Sequence, residues 1–185
     1  MNNRESDPRP WKLIKQKTGP SLKLFTSRFE YRQNPRNGKE LECLVLDSRD
    51  WVNIVALTKE REAILVKQFR FGSASVTIEI PGGVVDQGES HGEAARRELR
   101  EETGFSTDKW TYLGASEPNP AILNNLCHHW LAEDVVLNHC VSLDEGEDIT
   151  VTTASLEEIK DAVNSGRMRH SLAITGLAKV FDLRL

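Results

Sequence analysis

The chain has 185 residues, 38% of them hydrophobic and 28% charged, with a net charge of −4. That is enough apolar material for the core of one domain with a small extension, and it excludes a disordered chain. A net negative charge also argues against a broad phosphate-gripping surface for long nucleic acid, so a highly anionic substrate would need metal ions or local arginines to offset repulsion.

Residues 1–10 are polar and proline-rich and are expected to form a loose tail. They hold no apolar stretch of the kind a secretory signal carries, and no apolar run further along is long enough to span a bilayer, so no membrane partner is expected. From Trp11 to Asp47 the pattern is that of strands. Phe25, Ser27, Phe29 and Tyr31 alternate with polar neighbours, as do Leu41, Cys43 and Val45, and the turn signal NPRNG at 34–38 joins them into a hairpin. This region, 1–48, is expected to be a tail and β-extension apart from the main domain, 49–185. Trp51–Leu57 and Ala63–Phe71 are apolar enough for buried strands, with Lys59–Glu62 as the turn between them. Val76–Ile80 is a further strand, stopped by Pro81-Gly82-Gly83. Residues 90–103 predict a helix, with Ser90 and Glu93 as a capping box and Gly104 at its C-terminal end. Trp110–Ala115, Cys127–Ala132 and Ile149–Thr153 predict strands. SEPNPAILNN and the acidic DEGED at 144–148 predict loops, and Leu156–Val163 and Ser171–Leu183 predict helices. Strands mixed with helices indicate a layered α/β or α+β domain.

The cysteines, Cys43, Cys127 and Cys140, are odd in number and sparse. That argues against a disulfide framework and fits a reducing cytoplasm, and with no paired CxxC a zinc site is not expected.

The informative segment is GVVDQGESHGEAARRELREETGF, residues 83–105. At about 100° per residue, Glu98 and Glu102 lie within about 40° of each other and Glu101 about 60° to the other side of Glu98. Three carboxylates therefore share one narrow face, while Ala95 and Leu99 form the strip that packs on a sheet. Such a cluster destabilises a helix unless it is compensated. Arg97 stands four residues before Glu101, and hard oxygen ligands suit Mg²⁺ or Mn²⁺. The glycines before the helix allow close backbone approach, so a carbonyl near Gly82 is a further candidate ligand.

The segment resembles the Nudix box, G-x5-E-x7-R-E-U-x-E-E-x-G-U with U a bulky apolar residue. Gly83, Glu89, Arg97, Glu98, Leu99, Glu101, Glu102, Gly104 and Phe105 all fit. A chance match is on the order of 10⁻⁸ per start position. The resemblance implies an α/β fold, a Nudix α/β/α sandwich with a mixed sheet. It implies Glu98 and Glu102 as metal ligands, Glu101 as a ligand or water-orienting group, Arg97 as the holder of the glutamates, Glu89 as a brace of the loop, and the Gly82 carbonyl as a further ligand. Mg²⁺ is the implied cofactor, with Mn²⁺ in reserve.

From about Trp11 onward the chain looks like the ADP-ribose and nucleoside-diphosphate-sugar pyrophosphatase branch. In that branch N-terminal strands help build a homodimer and a nucleobase pocket. Pro120, sixteen residues after Gly104, matches a proline of the branch loosely, since Ala121 follows it in place of the usual glycine. The acidic loop stands where the branch places a distant glutamate, acting as general base or metal ligand; Glu147 is the first choice and Glu145 the second. Arg70 matches a position that would contact substrate phosphate. Trp51, or another aromatic of the N-terminal strands, is a candidate to stack on a base. The expected substrate is a nucleoside-diphosphate sugar of the ADP-ribose or GDP-mannose type, cut to a nucleoside monophosphate and a sugar phosphate. The rivals are a nucleoside-triphosphate or RNA-cap hydrolase, and a catalytically silent sensor, against which the intact box speaks. His128 and His129 receive no role.

Overall fold

The structure, a computed structural model, describes residues 7–183; the part of the expected tail at 1–6 lies outside the described residues. The chain divides into two compact units. One runs up to Ser48 and includes Asn119–Asn125, and the other comprises Arg49–Pro118 and the chain from Leu126 onward.

The first unit is a three-stranded antiparallel meander of β1 (Lys12–Leu22), β2 (Phe25–Gln33) and β3 (Glu40–Asp47). The β2–β3 turn closes where NPRNG predicts it: the amide of Gly38 donates to the Asn34 carbonyl at 2.8 Å, and Gly38 takes the left-handed conformation. A second hairpin adds β1, so the region is a sheet of three strands rather than one hairpin. Pro20 interrupts the alternation of β1, and an edge strand tolerates the amide it lacks. Asn119–Asn125 joins this unit through a bridge between Leu46 and Leu123 and a 2.7 Å bond from the Leu46 amide to the Ile122 carbonyl. Leu13, Ile14, Leu22, Leu24, Leu41 and Leu44 remain exposed.

The second unit is built on β4 (Trp51–Ala56), β5 (Ala63–Arg70), β6 (Ser75–Glu79) and β7 (Gly82–Val84), then helix α1 (His91–Thr103). The short β8 (Phe105–Ser106), β9 (Lys109–Ser116), β10 (Cys127–Glu133), the short β11 (Val136–Leu137) and β12 (Ile149–Ala154) follow, before helices α2 (Leu156–Asn164) and α3 (Ser171–Ala178). A mixed sheet runs β7-β4-β10-β9, with β4 and β10 parallel; an antiparallel sheet runs β12-β5-β6, and β8 pairs with β11. Alternation along β4 sends Val52, Ile54 and Ala56 to a core shared with Ala94, Ala95 and Leu99 of α1. Val55 and Leu57 go to a second core with Ile159 of α2 and Leu177 of α3. Burial on both faces explains why that segment is apolar at every position but Asn53. Helices on both sides of sheet make this the expected α/β/α sandwich.

Two sequence expectations are corrected. The last helix ends at Ala178 rather than Leu183. Its closing turn is tightened by bonds from the amide of Lys179 to the Gly176 carbonyl and from that of Val180 to the Leu177 carbonyl, and Val180, Phe181 and Leu183 pack on the core without helical geometry. Gly82 and Gly83 do not merely stop a strand: they form β7, which pairs with Val52 and Asn53.

Candidate active site

Helix α1 starts and ends as its sequence dictates. The Ser90 hydroxyl accepts from the Glu93 amide and the Glu93 carboxylate accepts from the Ser90 amide, while Gly104, left-handed at φ 74°, returns its N–H to the Arg100 carbonyl. Burial of Ala94, Ala95 and Leu99 fixes the rotation of the helix. Glu98 and Glu102 are thereby turned inward and are 8% and 2% exposed. The Gly82 amide donates to Glu102 Oε2 at 2.9 Å, and a Cβ at Gly83 would collide with the Glu98 carboxylate. Glycine at 83 leaves that space to the Glu98 carboxylate, and any side chain there would have to displace it.

Arg97 is the hub of this region. Its Nε and Nη2 donate to the two Glu89 oxygens at 3.0 Å each, Nη2 also donates to the Val84 carbonyl at 3.0 Å, and Nη1 donates to Glu98 Oε1 at 2.8 Å and Glu101 Oε2 at 3.2 Å. Glu89 in turn accepts from the Asp86 amide at 3.1 Å, tying the loop before α1 to the helix. The Arg97 guanidinium holds the Glu89 carboxyl below its ordinary range.

The inward carboxyls behave differently. Burial pushes Glu98 up to about 7 against the pull of Arg97. Burial pushes Glu102 up to about 8 against the Gly82 amide, and the charges of Glu98 and Glu147 add to the shift. Two adjacent buried carboxylates thus lack full positive compensation. Among the described residues no three His, Cys, Asp or Glu side chains stand ready-grouped as a cation cage. The donor set nonetheless fits a divalent cation, being hard carboxylate oxygen with a deficit of positive charge.

The acidic loop contributes unevenly. Glu147 is half-buried, its carboxylate accepts from the Asp144 amide at 3.0 Å, and its charge acts on Glu98, Glu102 and Arg70. Glu145 is exposed on the same loop.

Arg70 closes β5 and points its fork at Glu79 of β6, donating from Nε at 2.7 Å and from Nη2 at 2.6 Å. Thr77 Oγ1 also donates to Glu79 at 2.5 Å, and His170 Nε2 lies 3.5 Å from it. The sequence reading missed Glu79, Thr77 and His170. The available signal was strand alternation: in the β5–β6 register Val66 faces Glu79, Gln68 faces Thr77 and Arg70 faces Ser75, which places Arg70, Thr77 and Glu79 on one face.

Trp51 opens β4, where the sequence places a buried strand of the main unit, and pairs with Val84 on one side and Cys127 on the other. Pro120 is exposed and belongs to the other unit. His128 bonds Asp50 at 3.1 Å and Tyr112 at 2.9 Å and stacks on His91, while His129 is fully buried against Ser116 Oγ at 2.8 Å. Burial pushes His129 down to about 4.

A family model described as NUDIX domain matches residues 47–173. The chain is 35% identical over 130 residues to an ADP-ribose pyrophosphatase of Bacillus subtilis (strain 168), an alignment covering 70% of each. It is 25% identical over 168 residues to a methanol dehydrogenase activator of Bacillus methanolicus, covering 88% of this chain and 91% of that one. Among solved structures, the crystal structure of an ADP compounds hydrolase aligns with a TM-score of 0.82 at 23% identity, over 94% of this chain and 93% of that one, a likeness of fold.

Proposed function

The chain belongs to the NUDIX family and is a hydrolase of that family; from this premise we propose that it cleaves the diphosphate linkage of nucleoside-diphosphate sugars of the ADP-ribose type, releasing a nucleoside monophosphate and a sugar phosphate. The observation that carries the reading is the buried pair Glu98 and Glu102 flanked by Arg97, with Glu147 and Arg70 in electrostatic reach. The likeness to the Bacillus subtilis ADP-ribose pyrophosphatase supports the substrate class.

Family members use a divalent metal, here proposed as Mg²⁺ with Mn²⁺ as substitute, which when bound neutralises diphosphate charge and polarises phosphorus. Glu98, Glu101, Glu102 and the Gly82 carbonyl are the proposed ligands; Glu147, with Glu145 as second choice, is the proposed general base, its alternative role being a further metal ligand. Arg97 keeps the carboxylates of Glu98 and Glu101 in place. Glu147 accepts the proton of the attacking water as its oxygen bonds to phosphorus and the bridging P–O bond breaks. Arg70 meets a phosphate oxygen with the part of its fork not engaged by Glu79. Trp51 and Pro120 are retained only as candidate substrate-side positions.

We further propose a homodimer through the N-terminal sheet, supported by its exposed leucines, and a reducing cytoplasmic setting, supported by three free cysteines. No helix among the described residues is long and apolar enough to cross a membrane.

The deciding experiment incubates the full chain and Mg²⁺ with ADP-ribose, GDP-mannose, deoxynucleoside triphosphates and capped RNA, and identifies the products. ADP-ribose cleaved to AMP and ribose phosphate is the expected result. Faster turnover of triphosphates or caps, or no cleavage of any compound, would overturn the reading.

A further inference from the structure

Glu79 is an unusual residue to find without a role. It is 1% exposed, and a carboxylate taken out of water is costly unless it is paired and hydrogen-bonded. Its two oxygens are covered by Arg70 Nε, Arg70 Nη2 and Thr77 Oγ1, with His170 Nε2 at 3.5 Å. These contacts come from three places: the end of β5, the β6 strand itself and the N-cap of α3. The Arg70 side chain, by contrast, remains 43% exposed. Its Nη1 has no protein acceptor among the described residues, and its charge acts on both Glu102 and Glu147.

We propose that Glu79 is a positioning residue for substrate phosphate: it clamps two of the three guanidinium nitrogens of Arg70 so that the third faces the carboxylate centre, with Thr77 and His170 bracing the clamp. The inference rests on the diphosphate-hydrolase reading above and deepens it. The physical gain is preorganisation. A free arginine loses much rotamer freedom when it grips an anion, whereas an arginine already held by a bidentate carboxylate has lost that freedom before substrate arrives. Salt-bridging that merely stapled the β5–β6 hairpin would not require burial of the carboxylate, since the strands are already joined by five ladder pairs from Val66–Glu79 to Arg70–Ser75.

The test is a mutant cycle of wild type, Glu79→Gln, Arg70→Ala and the double variant. It reads kcat and KM on ADP-ribose with Mg²⁺, calorimetric affinity for ADP, and Tm. Glu79→Gln is expected to raise KM and weaken ADP binding about 10-fold, with a smaller change in kcat. The double variant is expected to be no worse than Arg70→Ala alone, because both changes remove one function. Glu79→Asp, which keeps the charge, should recover part of the loss. Two results would overturn the proposal: the same penalty for Glu79→Gln with and without Arg70, or a lowered Tm with KM and ADP affinity unchanged. Should Glu79→Gln fail to fold, the wild type still decides through the ¹⁵N signal of Arg70 Nε–H. A rigid, slowly exchanging signal before ADP is added supports the clamp, and a mobile signal refutes it. A wild type that binds ADP but leaves ADP-ribose uncut refutes the reaction while the binding cycle still judges Glu79. A wild type that binds no ADP refutes both.

Discussion

Two arginines of the same unit use the same guanidinium fork for opposite ends. Arg97 lies inside the loop–helix segment and spends every nitrogen on the protein: Glu89, Val84, Glu98 and Glu101 take all it offers, and its side chain is 24% exposed. Arg70 stands at the end of a hairpin, held by a single carboxylate, and displays its remaining edge. The contrast teaches how to tell an internal brace from an arginine that presents a free edge, the position proposed above to meet substrate phosphate. The number of committed donor nitrogens separates the two more sharply than charge or motif membership does.

Several variants sharpen or break this contrast. The largest effect is expected from the carboxylate that Arg97 serves: Glu98→Gln should lower kcat about 1000-fold with Tm almost unchanged, and near-normal turnover would remove Glu98 from the centre. Next comes Glu147→Gln, which should lower kcat about 100-fold with little change in KM; an effect confined to KM would assign it to binding instead of proton transfer. Arg97→Ala leaves Glu89 and Glu98 without their cation. It should cost about 3 kcal/mol of stability and weaken Mg²⁺ binding about 10-fold, whereas Arg70→Ala should leave Mg²⁺ affinity intact. Equal Mg²⁺ losses in the two variants, read by titration, would erase the distinction between brace and presented edge.

The smallest effect lies away from both arginines, which stay charged throughout the accessible pH range. Burial keeps His129 neutral in the fold down to about 4, while the unfolded chain takes up that proton near its ordinary value. His129 therefore contributes fully above about 6.5, and the contribution is lost as pH falls from there towards 4. Relative to His129→Gln, the wild type should lose a few degrees of Tm advantage across that window. A constant difference would mean that His129 is not held neutral.

The helix-borne part of the candidate site was readable because its carboxylates share one element: a fixed angle per residue places Glu98, Glu101 and Glu102 with no knowledge of the rest of the chain. The partner of Arg70 was not readable in the same way. Glu79 reaches it only through the hairpin register, and His170 only through the packing of α3, about ninety residues further on. The helix that starts at Ser171 ends before Leu183 because Val180, Phe181 and Leu183 keep an apolar spacing that packing satisfies without helical bonds. Asn119–Asn125 joins the N-terminal sheet across seventy-odd residues of sequence, an association that no linear boundary can express.

The hydrogen at the α-carbon of residue 83 is the smallest part of the centre, and the whole arrangement closes around it. One added methyl there would evict the Glu98 carboxylate from its niche while sparing every acidic residue of the segment. On the role proposed for Glu98, a descendant of this chain could thus fall silent as an enzyme, still folded and still carrying an unblemished row of glutamates, through the gain of a single carbon.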